Sequence, residues 1–195
     1  MNPARAAGPM IYDGMDGELF DVTAPHVSTL GLSKGRAIPY NWLTYVLGRT
    51  SKKMLAGGDV LTGFMSGCLI AAWTENGCRF VGHVGTVEEN EQANQLVKRT
   101  FAGFMPRDTT GFFPLAAWDT GTEIIPKARK FKAGVTPKVL ALVTTSGEFY
   151  SILLFMLGLN NEWCVGGIKK VQPMPYAALK QKLDPRAPVV GGHRG

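Results

Sequence analysis

The chain is poor in the residues that usually build sites: three cysteines and three histidines among 195 residues. An odd cysteine count cannot close into a complete disulfide framework, and a chain of this length does not need one to hold a core. Cys68, Cys78 and Cys164 show no Cys-x-x-Cys spacing, so a structural zinc site is disfavoured, and they suit a reducing compartment. No metal and no cofactor is expected. Long apolar runs are also missing. The longest, residues 152–159, is too short to cross a bilayer, which takes about 20 residues as a helix. Residues 1–20 contain no continuous apolar core of the kind a signal peptide needs. The expectation is a chain made in the cytoplasm, and either kept there or exported without a cleaved signal. Acidic residues are the minority, 15 against 21 Lys and Arg, for a net charge of +6. That balance favours acidic partners in general. No nucleic-acid-binding motif accompanies it, so no nucleic acid is expected as a partner.

What is present is apolar and loop-rich. A hydrophobic content of 45% over this length supplies one sizeable core and is too little for two generous ones, so residues 1–195 are read as a single domain. Within it, 1–35 read as an irregular lead-in with short strands, and 185–195 as a mobile tail. His26 and His193 fall in these two segments. With 24 Gly and 12 Pro punctuating short apolar runs, strands are favoured over long helices. No internal repeat is evident, and nothing indicates an oligomeric state.

The scarce thiols and imidazoles meet at one place. Met65-Ser66-Gly67-Cys68 is a small-residue turn entering the apolar run Leu69-Ile70-Ala71-Ala72-Trp73, and Cys78-Arg79-Phe80-Val81-Gly82-His83 reads as the return strand. Asn76-Gly77 between them suits a type I′ hairpin turn, in which both central residues need positive φ. If these two alone turn the chain, Trp73 faces Phe80, Ile70 faces His83, and Cys68 lies diagonal to His83 on the same face. If Thr74-Glu75-Asn76-Gly77 all loop out, Cys68 falls directly opposite His83. Either register leaves the two Cβ atoms about 5 to 8 Å apart. Cys78, in the same strand as His83 but at odd separation, points to the other face. A thiol beside an imidazole is the arrangement of a nucleophile and its base. Ser66 and Gly67 clear bulk before the sulfur and leave main-chain N–H groups there as oxyanion donors. The competing reading of Cys68 is a small core residue, since free cysteine is among the most buried types.

This pattern, Ser66-Gly67-Cys68 followed across a hairpin by His83 and preceded by Thr62, resembles the catalytic core of the cytotoxic necrotizing factor type of glutamine deamidase. That fold class includes Burkholderia lethal factor and the bacterial chemoreceptor glutamine deamidases. The resemblance covers residues 59–86. It implies that Cys68 attacks the side-chain amide carbon of a glutamine in a protein substrate, with His83 moving the protons. Thr62 stands where several members carry a threonine, and would accept from the second imidazole N–H. Necrotizing factors fill that third place with a main-chain carbonyl from an earlier segment. Water or an amine would resolve the thioester, giving deamidation or transglutamination. Rho-type GTPases, a translation factor and chemoreceptors are all admissible target analogies. A bacterial effector or toxin delivered directly into another cell fits the missing signal peptide. The residues themselves keep two other classes open: another cysteine hydrolase or acyltransferase, and a non-catalytic interaction domain with a basic surface.

The remaining stretches complete an α+β reading, a mostly antiparallel β-sandwich or layered sheet with helices packed outside. Residues 40–47 read as a short helix with Trp42, Leu43 and Val46 on one face. Thr86 reads as the cap of a helix starting at Val87, with Leu96, Val97, Phe101 and Phe104 on its apolar face. Phe112, Phe113 and Trp118 crowd a loop, where core packing is favoured over a cleft lining. The basic run 127–132 and Ser51-Lys52-Lys53 read as exposed connections. Residues 138–145 and 148–157 form a second hairpin around Ser146-Gly147, 163–171 another strand, and Tyr176–Leu183 a helix after Pro175.

Overall fold

A computed structural model describes residues 16–20, 37–131, 133, 137–157 and 162–185. Ten strands appear among them: β1 (Asp16–Phe20), β2 (Ala37–Leu43), β3 (Thr50–Met54), β4 (Asp59–Met65), β5 (Leu69–Glu75), β6 (Cys78–Val84), β7 (Thr110–Phe112), β8 (Lys138–Val143), β9 (Phe149–Leu157) and β10 (Glu162–Val171). Three α-helices accompany them, α1 (Glu91–Phe104), α2 (Ile125–Phe131) and α3 (Tyr176–Leu183). The fold is α+β. One sheet has six strands in the order β1-β2-β4-β8-β9-β10, and the other has four, β3-β6-β5-β7. All pairings are antiparallel except β2 with β4.

Strand alternation sorts the side chains into three layers. Val60, Val139, Ala141, Val143, Leu153 and Phe155 of the larger sheet meet Ile70, Ala72, Val81 and Phe112 of the smaller, which makes a sandwich with a shared core. The opposite parity of the smaller sheet, Leu69, Ala71, Trp73 and Val84, packs on Val97, Phe101 and Ala102 of α1 and on Leu179 and Leu183 of α3. Trp73 anchors this second layer, with its ring 5.7 Å from that of Phe101. Gly82 makes room for it, since a Cβ there would lie 2.5 Å from the Trp73 ring. Leu61, Leu142, Ile152 and Leu154 line the outer face of the larger sheet.

The β5–β6 hairpin has the two-residue register. Trp73 pairs with Phe80 and Ile70 with His83, around Asn76 (φ 51°) and Gly77 (φ 76°). The second hairpin, β10 and α3 also form where the sequence places them.

Four expectations are corrected. The predicted helix over 40–47 is the strand β2 and the loop after it: Tyr40 and Trp42 face the outer cluster while Leu43 enters the shared core, a period of two that the aromatics disguise. Helix α1 begins at Glu91, capped by Asn90, whose side chain accepts from the Ala93 N–H. Thr86 therefore caps nothing, and Leu96, 66% exposed, lies off the buried face that Val97 and Phe101 share. Ser51 and Lys52 lie in β3 and are buried, with the Lys52 ammonium 2.5 Å from Glu75 and 4.6 Å from the centre of the Phe80 ring. The basic run beginning at Lys127 opens in α2, where Ala128 is buried and Lys127 donates to the Gly166 carbonyl across 3.0 Å. His26, His193 and nearly all of the lead-in and tail lie outside the described residues.

Candidate active site

β4 belongs to the larger sheet and β5 to the smaller, so the chain changes sheets through Ser66, Gly67 and Cys68. Parity then decides what faces inward. Val60 and Thr62 of β4 point into the sandwich, as do Ile70 of β5 and Val81 and His83 of β6. Continuing the β5–β6 register one step beyond Leu69↔Val84 sets Cys68 opposite Gly85, diagonal to His83 and on its face. Cys68 is 4% exposed, and Thr62 and His83 are fully buried. The structure thus turns Thr62, Cys68 and His83 into the same interior, Thr62 from the larger sheet and the other two from the smaller. Cys78 is exposed on the other face of β6.

One hydroxyl fixes the state of the imidazole. Thr62 Oγ1 lies 2.7 Å from the Leu43 carbonyl oxygen and 2.6 Å from His83 Nδ1. A carbonyl can only accept, so the single hydroxyl proton goes to Leu43 and Thr62 must accept from His83. His83 therefore carries its proton on Nδ1. Burial lowers its pKa to about 3, so the ring is neutral at ordinary pH and Nε2 holds a lone pair. Nε2 is buried without a hydrogen-bond partner among the described residues. The register shift of β4 against β8 between Thr62 and Met65 bends the strand just after this contact, a common device beside sites.

The thiol is held from another side. The Thr86 N–H and the Thr86 hydroxyl both lie 3.4 Å from Cys68 Sγ. Burial raises the Cys68 pKa, and the two Thr86 contacts and the charge of Lys98 oppose that rise. Tyr45 closes the assembly: its ring centre is 5.3 Å from that of His83, and its hydroxyl donates to the Thr86 carbonyl across 2.5 Å. Burial raises the Tyr45 pKa too, with the negative charges of Cys68 and Glu88 adding to it. A cleft of about 350 Å³ opens over the sulfur, lined in part by Tyr45, Phe64, Ser66, Gly67 and Thr86. Ser66 and Gly67 are exposed there. Glu88, Glu89 and Lys138 give the cleft charges of both signs.

Sequence reasoning missed Tyr45, Thr86 and the Leu43 carbonyl. Thr86 could have been found by running the hairpin register two steps past Leu69↔Val84, where it falls opposite Gly67; a Cβ on Gly67 would sit 3.4 Å from Thr86 Oγ1. Tyr45 and Leu43 were hidden by the helical reading of their segment. Among the described residues no group of three His, Cys, Asp or Glu side chains could hold a metal ion, and no helix is long and apolar enough to cross a membrane. No protein-family model, no curated protein and no solved structure matches the chain.

Proposed function

We propose that this protein is a cysteine-dependent amidohydrolase that converts a glutamine of a protein substrate to glutamate. The observation that carries this reading is the commitment of the Thr62 hydroxyl to Leu43, which leaves His83 with an unprotonated, unpartnered Nε2 on the face of Cys68. An ordinary core histidine would have that nitrogen satisfied. A base that is to receive the thiol proton leaves it open, and its low pKa climbs as negative charge forms on the sulfur.

The chemistry follows from this state. A rotation of the Cys68 side chain toward His83 lets Nε2 take the thiol proton as Sγ bonds to the glutamine amide carbon. Negative charge collects on the amide oxygen, where the main-chain N–H groups of Gly67 and Cys68 supply donors at the cleft. As the C–N bond breaks, Nε2 returns its proton to the leaving nitrogen and ammonia departs. His83 then deprotonates water, which attacks the thioester; the C–S bond breaks and the sulfur recovers its proton. Thr62 keeps its acceptor on Nδ1–H throughout, so the ring holds its orientation while Nε2 cycles. The cleft is open enough for a side chain presented on another protein.

The competing reading, a structural thiol, draws on the burial of Cys68 and its raised pKa. Incubating the protein and its Cys68→Ser variant with bacterial and animal lysates, followed by peptide mass spectrometry, separates the two. The expected outcome is a set of glutamine sites that become glutamate only with the unaltered thiol. Cleavage of main chain or of esters that depends on Cys68 would replace deamidation with another hydrolysis, and identical lysates would leave Cys68 as a core residue.

A further inference from the structure

We infer that Thr86 is the residue that makes the sulfur of Cys68 an anion fit to react: its main-chain N–H and its hydroxyl together form a two-donor cradle for the thiolate. The inference rests on the reading of Cys68 as the nucleophile. The Thr86 nitrogen, which donates, and its hydroxyl oxygen, which can donate once the sulfur is an anion, both stand 3.4 Å from Sγ, an ordinary length for a hydrogen bond to sulfur. Two donors on one atom suit an anion. A neutral thiol has one proton to give and is a weak acceptor, whereas a thiolate takes several donors at once.

Thr86 is itself held in place. Tyr45 donates to its carbonyl, which ties the main chain at this residue to the loop after β2. Tyr45 is in turn pressed against the strand end by Gly85, where a Cβ would lie 2.9 Å from the Tyr45 ring and 2.3 Å from the Val46 carbonyl oxygen. Gly67 leaves the approach to the threonine hydroxyl open. The cradle is therefore built by three separate segments, the loop after β2, the β4–β5 crossing and the end of β6. His83 plays no part in it. The cradle steadies the anion that forms as the thiol proton passes to His83 Nε2, which keeps that proton for the departing nitrogen. The titratable and charged groups around the sulfur and its cleft are His83, Tyr45, Lys98, Glu88, Glu89 and Lys138. Lys98 adds a favourable charge to the thiolate, and the two Thr86 groups oppose burial at hydrogen-bond distance.

The test is the ultraviolet absorbance of the thiolate, titrated in a Cys78→Ser, Cys164→Ser background where Cys68 is the sole thiol. Thr86→Val keeps the shape of the side chain and removes its hydroxyl. It should move the midpoint of Cys68 upward by about one pH unit, the size expected for one donor to an ion. Thr86→Ser restores the hydroxyl and should restore the midpoint. Iodoacetamide labelling of Cys68 at neutral pH should slow in the valine variant by about three- to fourfold, since a smaller thiolate fraction is partly offset by its greater basicity. If the valine variant does not fold, by circular dichroism, Thr86→Ala takes its place with the same expected shift. An unmoved midpoint, or a serine variant that behaves like valine, overturns the cradle. These readouts need no substrate, so the cradle can stand even if deamidation fails, and deamidation can stand if the cradle fails.

Discussion

A single hydroxyl proton governs the candidate base. Because Thr62 spends that proton on Leu43, it can only receive from His83, and valine at position 62 would keep the shape while orphaning the buried Nδ1–H. Thr62→Val should cost about 1–3 kcal/mol of stability through that unpaired donor. It should also lower any Cys68-dependent turnover far more than it weakens substrate binding, because the ring is then free to take the other tautomer and present N–H to the thiol. The check is a denaturant melt beside a kcat and KM measurement. Thr62→Ser should recover most of both. The resemblance marked this residue and the role of acceptor from the second imidazole N–H, but not what takes the hydroxyl's own proton. The acceptor of that proton, the Leu43 carbonyl, is main chain, and no side-chain pattern advertises it. Tyr45 and Thr86 were concealed for a related cause: each is placed by segments far away in the chain, so their local surroundings point to a helix and a cap.

At the scale of elements, the β5–β6 hairpin is where sequence and structure agree most closely. Asn76 and Gly77 have the positive φ values that the turn demands, and an even-length turn fixes every pair from Trp73↔Phe80 to Ile70↔His83. Gly77→Val should destabilise by about 1–2 kcal/mol, since a β-branched residue resists a left-handed backbone, and no described residue stands within 4 Å of the added Cβ to confuse the cause. A urea melt reads it. Should the turn relax to an odd length, His83 would move to the helix-covered face and Cys68-dependent chemistry would vanish with the fold still present. Other elements were less legible because their partners are distant. β2 runs parallel to β4, and its aromatics fall on one face of a strand as readily as on one face of a helix turn. Helix α1 was placed but its start was not, because the acidic Glu88 and Glu89 precede a turn in which Glu89 has φ 57° and Asn90 takes the cap. Lys52 shows the converse. Its charge marks it for the surface, yet its stem lies buried beside Phe80 with the ammonium reaching Glu75, as amphipathic chains do.

For the whole molecule, the sandwich makes acidity a structural variable. The unfolded chain takes up a proton at His83 near pH 6.5, and the folded chain only near pH 3. Between those values the unfolded state binds more protons, so stability is full above pH 6.5 and falls as pH drops, by up to about 1.4 kcal/mol per pH unit. Carboxylates held low by lysine or backbone partners, such as Glu75 and Glu123, add their share only further into acid. Urea melts between pH 7 and pH 5 should show the decline, and His83→Gln should flatten it. A decline of equal slope in that variant would place the titrating group elsewhere. The α+β layering itself could be read from composition and strand punctuation, because alternation and turn residues are local. Which strands share a sheet could not, since the order β2-β4-β8 is set by packing across the core.

The passage of the chain between the two sheets has a further meaning. Thr62 and Cys68 are near neighbours in sequence yet stand on opposite leaves of the sandwich, and only Ser66 and Gly67 separate the last residue of β4 from the cysteine. That short span works as a ruler: it sets the reach from hydroxyl to thiol regardless of what surrounds it. Point substitutions on either leaf leave the ruler's length untouched, whereas a single inserted residue would change it without removing any named side chain. Variation in this chain should therefore be far more tolerant of altered residues than of altered length at the crossing.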